Sequence, residues 1–95
     1  MSKGGGAGLR WVRAEGVLWR RTQAAIVMLT AEAREPFSLT GSGRSLWDVL
    51  GDPIDEHALC LRLARLHGAD VALVAPAVRQ VLGDLARRGA VVQQP

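Results

Sequence analysis

A chain of 95 residues, 48% hydrophobic and 22% charged, is long enough for one domain with its own core and too short for two. The apolar content excludes wholesale disorder, and runs such as Ala24 to Leu29 fall far short of the roughly 20 residues that cross a bilayer. Eleven arginines and Lys3 face nine acids, for a net charge of +3. Beyond the basic group Arg10, Arg13, Arg20 and Arg21 the acids are interspersed, so the charge reads as a solvated surface rather than a nucleic-acid track.

MSKGGGAG opens the chain with glycines and nothing that packs. Residues 1–10 are therefore expected to form a flexible tail ahead of a single domain over 11–95. Trp11 precedes the first legible element and is assigned to none. VLWRR, AAIVMLT and PFSLT are short, β-branched or aromatic runs separated by polar breaks, and they predict a three-stranded meander. Gly41, Ser42 and Gly43 read as a turn or hinge. Ser45 to Leu50 then predicts a short helix, stopped by Gly51, Asp52 and Pro53. Asp55 is placed to cap a second helix, with Ile54 stapling onto Leu59 and Gly68 ending it. Leu59, Leu63 and Leu66 form its predicted buried stripe, and Leu61 falls off that stripe. A third helix is expected from near Val74, with Pro76 in its first turn, to Gly89. Val78, Val81, Leu82 and Leu85 are its apolar face, and Val91 and Val92 add a short extended end. Strands first and helices after imply an α+β fold, compatible with a winged-helix-like arrangement.

Chemistry is sparse. His57 and His67 stand ten apart without cysteine or carboxylate at ligand spacing, so they read as surface helix residues and no metal is expected. Cys60 lacks a neighbouring base and reads as small core filler. GSG at 41–43 lacks the lysine and spacing of a phosphate-binding loop, and Trp47 reads as a core anchor. With no nucleophile and base and no cofactor motif, no cofactor and no catalysis are expected, and the function should be binding. One cysteine cannot form an internal disulfide, and no secretory pattern opens the chain, so a reducing cytoplasm is the expected location.

A meander leaves its first and third strands at the edges. The first carries Arg20 and Arg21, whereas the third, Phe37 to Thr40, is uncharged and unguarded. An extended peptide could add there as a fourth strand.

LTGSGRSLWDVL, with the preceding VLWRR and AIVMLT strands and the closing VRQVLGDLARRGAVV, resembles the PqqD-like family, the recognition elements for ribosomally made precursor peptides, over about residues 12 to 93. The resemblance is carried most by Leu39, Gly43 and Trp47, then by Val81, Leu82, Leu85 and Gly89; Thr40, Ala77 and Ala90 depart from the usual asparagine, aspartate and leucine. It implies a small peptide chaperone that captures a precursor's leader peptide and presents its core to a modifying enzyme: a radical enzyme, cyclase or protease. Carried over residue by residue, it implies main-chain pairing by Phe37, Ser38, Leu39 and Thr40, and an apolar floor from Val78, Leu82 and Leu85.

Two other readings compete. The second and third helices could form the helix-turn-helix of a winged-helix DNA-binding protein. Only Arg79 and Gln80 stand near the helix start, however, Asp84 opposes phosphate, and no basic wing follows. The chain could also be a structural subunit of a larger biosynthetic enzyme. Neither DNA nor membrane is the expected partner.

Overall fold

The computed structural model describes residues 8–95; the expected tail lies mostly outside them. In chain order the elements are β1 (Arg10–Arg13), β2 (Leu18–Arg21), β3 (Ile26–Leu29), β4 (Phe37–Leu39), α1 (Ser42–Val49), α2 (Glu56–His67), α3 (Val71–Arg87) and β5 (Val91–Gln94). The fold is α+β, with β2, β3 and β4 forming the antiparallel meander that precedes the three helices. In the meander Leu18 opposes Leu29 and Arg21 opposes Ile26, while Ile26 opposes Leu39 and Met28 opposes Phe37. Period-two alternation on β3 turns Ile26 and Met28 into the core and leaves Val27 and Leu29 on the outer face.

A second sheet stands beside this one. β1 pairs antiparallel with β5, Val12 opposite Val92 and Arg10 opposite Gln94, so pairing starts one residue ahead of position 11. β1 also bridges to Ile54 through both backbone groups of Trp11. Trp11 thereby becomes half-buried, with its indole Nε1 donating to Glu56 Oε1 at 3.4 Å. RWVR is too short to declare a strand by its own pattern, and the partner that makes it one lies at the opposite end of the chain.

The helices begin earlier than their apolar patterns suggest. Gly41, at φ 55°, caps α1, so Ser42 and Gly43 belong to its first turn rather than to a hinge. Asp55 caps α2 as expected, accepting from the Ala58 amide at 2.8 Å, and Gly68 ends it at φ 61°. Asp70 caps α3 by accepting from the Ala72 amide at 2.9 Å, which puts Pro76 inside the helix instead of in its first turn. A second correction concerns the α2 stripe: Leu59 and Leu63 are buried, but Leu66 is 63% exposed. Leu66 instead stands at the rim of a surface depression with Ser45, Asp48 and Val49 of α1. Leu61 is exposed as expected, and Cys60 is buried.

The core gathers around Trp47, which is fully enclosed. Trp19 of β2 meets it edge-to-face with ring centroids 5.8 Å apart. The Arg13 guanidinium lies 4.8 Å from the Trp19 ring centre and 4.7 Å from that of Trp47. It also donates from Nε at 3.1 Å and Nη2 at 2.6 Å to the Trp47 carbonyl. One side chain thus ties β1, β2 and the C-terminal end of α1, where a cation also suits the helix dipole. Burial pulls the Arg13 pKa down, with Asp48 acting in the opposite direction.

Candidate functional site

The turn from β4 into α1 is held by Leu39, Gly43 and Trp47. Gly43 lies against Leu39, whose Cβ is 3.5 Å from where a Cβ on Gly43 would stand, an ordinary packing distance, so the first turn of the helix seats directly against the end of the strand. Trp47, one turn further on, anchors that helix in the core. The edge strand is therefore fixed in place by the residues that follow it.

The β3–β4 loop holds the other end of β4. Thr30 donates to the Arg88 carbonyl and accepts from the Ala33 amide. Gly89, at φ 78°, ends α3 beside the Glu32 carboxylate. Arg88 then stacks over Phe37 at 4.7 Å from the ring centre.

Between these ends β4 pairs only with β3, so alternate amides and carbonyls face outward unpaired by any other strand. Ser38, Leu39 and Thr40 border a cleft of about 470 Å³, whose far wall is Gln80, Val81 and Asp84 of α3. Ser38 and Thr40 are exposed, and Phe37 and Leu39 are half-buried. Phe37 does not line the cleft; it lies beneath Arg88. Leu85 forms the floor from below while itself being enclosed.

Of the other two residues expected in the apolar floor, Val78 is 3% exposed and lines the neighbouring apolar cavity between the helices, and Leu82 is 1% exposed and lies in the core beneath the cleft. The side chains that border the cleft are Gln80, Val81, Asp84 and Arg87. At about 100° per residue Val81 lies at the margin of the core stripe of 78, 82 and 85, Asp84 further round, and Gln80 and Arg87 on the side of α3 opposite the stripe. Asp84 stands between two cations, 3.6 Å from Arg87 Nη2 and 3.4 Å from Arg88 Nε.

Other candidate chemistry is absent from this surface. Among the described residues no group of three or more His, Cys, Asp and Glu side chains could hold a metal ion. Burial pushes the Cys60 thiol up, and Glu56 adds to the shift, the opposite of an activated thiol. His57 and His67 are exposed. Arg79, first among the candidate DNA contacts, is engaged by Glu56 at 3.3 Å. No described helix is long and apolar enough to cross a membrane.

The fold and site define a small α+β domain with one open, uncharged strand edge facing a helix across a cleft. The family model described as Coenzyme PQQ synthesis protein D (PqqD) matches residues 25–91, and the chain belongs to that family. It is a small accessory protein of ribosomal peptide biosynthesis, with a modifying enzyme as partner. No curated protein and no solved structure matches it.

Proposed function

We propose that this protein captures the leader peptide of a ribosomally synthesised precursor by β-strand addition to β4 and presents it, without catalysing a reaction itself, to the modifying enzyme. The observation that carries the reading is the free, uncharged outer edge of β4 walled by α3. Main-chain pairing by Phe37, Ser38, Leu39 and Thr40 supplies affinity, while Val81 and Leu85 give the apolar contact. A cytoplasmic location follows, because such precursors meet their enzymes where they are made.

About four backbone hydrogen bonds at roughly 0.5 to 1.5 kcal/mol each, with two buried side chains at roughly 1.5 to 3 each, set the gross attraction. Ordering a flexible peptide cancels much of it, which leaves a dissociation constant of about micromolar. The test is an amide-shift titration with the leader of a precursor encoded beside this gene. Shifts should concentrate at residues 37–40 and 80–87. Shifts confined to β2 or α2 would discard the site.

A further inference from the structure

The cleft beside β4 changes character along its length. Ser42 and Val81 line both it and a second, apolar cavity of about 280 Å³ between the helices, walled by Leu46, Leu73, Val74 and Ala77. The opposite end is cationic. Arg87 borders the cleft there, Arg88 closes over Phe37, and Asp84 is the carboxylate shared between them. Resting on the strand-addition reading, we propose that the docked segment is defined by two side chains in fixed order. A large apolar residue enters the helix cavity, and four residues later an aspartate or glutamate meets Arg87 and Arg88.

The order follows from the directions of the elements. Arg88 stacks on Phe37, the first residue of β4, while Ser42, just past its last, shares the helix cavity with Ala77. β4 therefore runs against α3. Every strand pair among the described residues is antiparallel, and a peptide added to β4 in the same sense runs along α3 from Ala77 toward Arg87. Ten helical residues span about 15 Å. An extended strand covers that distance in about four residues, and an even spacing keeps both side chains on one face. The residue halfway meets Gln80 and Asp84, which suits a small polar side chain.

The sign of the charge follows from the pairing. Two guanidiniums share one carboxylate, with Asp84 engaged at 3.6 and 3.4 Å. An incoming acid finds two partially free donors, whereas an incoming base finds an acceptor already bridged twice. The cavity, in contrast, rewards only apolar burial.

The test uses the full chain and fluorescein-labelled nine-residue probes of serine and threonine. The parent probe carries leucine and, four residues later, glutamate; the others replace leucine by serine, replace glutamate by lysine, or exchange the two positions. Fluorescence anisotropy should show a loss of at least roughly tenfold without leucine. It should show a loss of about threefold or more with lysine or with the order exchanged, the lysine effect shrinking in salt. Ala77→Phe should remove the leucine preference by filling the cavity, and Arg87→Glu should invert the glutamate–lysine preference. Equal affinities for all four probes, or no binding of the parent probe, would overturn the order rule. The underlying strand-addition reading fails separately: it is lost if Ser38→Pro, folded by its melting curve, binds the parent probe or an authentic leader as tightly as the unaltered chain does.

Discussion

The two free edges of the meander differ in what stands beside them. β2 exposes all four of its residues, including Arg20 and Arg21, and Arg21 is drawn sideways onto Asp48. The concavity beside it is an open depression of about 370 Å³ on the outer face, where Leu18 and Leu29 lie. β4 has no charge and faces α3 across the cleft, with both ends pinned by Gly43 and by the Thr30–Arg88 contact. An unpaired edge alone supplies only main-chain hydrogen bonds, which any extended chain satisfies equally. A wall of side chains opposite the edge is what allows one chain to be preferred over another.

Trp47→Ala should erase the comparison, because β2 through Trp19 and β4 through α1 both rest on that ring. The expected loss is about 3 to 5 kcal/mol in urea unfolding. A loss below about 1 kcal/mol would mean that the meander stands without its anchor. Ser38→Pro sharpens the contrast: it should weaken peptide binding by at least about tenfold, whereas Arg21→Pro on the opposite edge, where the amide likewise faces away from β3, should leave affinity unchanged. Equal losses from the two substitutions would erase the distinction between edges. Gly89→Ala tests the pin at the Phe37 end, since a side chain at φ 78° would also displace the Glu32 carboxylate. It should cost about 1 kcal/mol and broaden the amide signals of β4 more than those of β2. Arg21→Ala is expected to have the smallest effect, with melting temperature and peptide affinity nearly unmoved, because the ion pair is exposed on both sides. A clear drop in affinity would show that the guarded edge takes part in docking.

Most of the meander and the caps of α2 were legible because their causes are local. Asp55 and Gly68 bound α2 through their own backbone preferences, and the alternation of Ile26 with Val27 sorts β3 by face wherever the strand packs. The uncharged edge was legible too, since charge and proline are read directly. The wall opposite that edge was only half legible. Val78, Val81, Leu82 and Leu85 read as one apolar face, but that Val81 at its margin would line the cleft together with Gln80 and Asp84 depended on where β4 came to lie.

What the sequence by itself determined is the α+β order, the two caps of α2 and the turn that joins β4 to α1, all set by residues a few positions apart. Tertiary structure alone decided that Arg10–Arg13 would pair with Val91–Gln94, that Trp11 would find Glu56 and that Leu66 would stay in water. The same holds for Gln80, Val81, Asp84 and Arg87, which face the cleft only because β4 lies alongside α3. A four-residue strand carries too little pattern to specify a partner some eighty residues away. A helical stripe records that one side is apolar, and only packing against neighbouring elements decides which residues at its margin meet solvent, core or ligand.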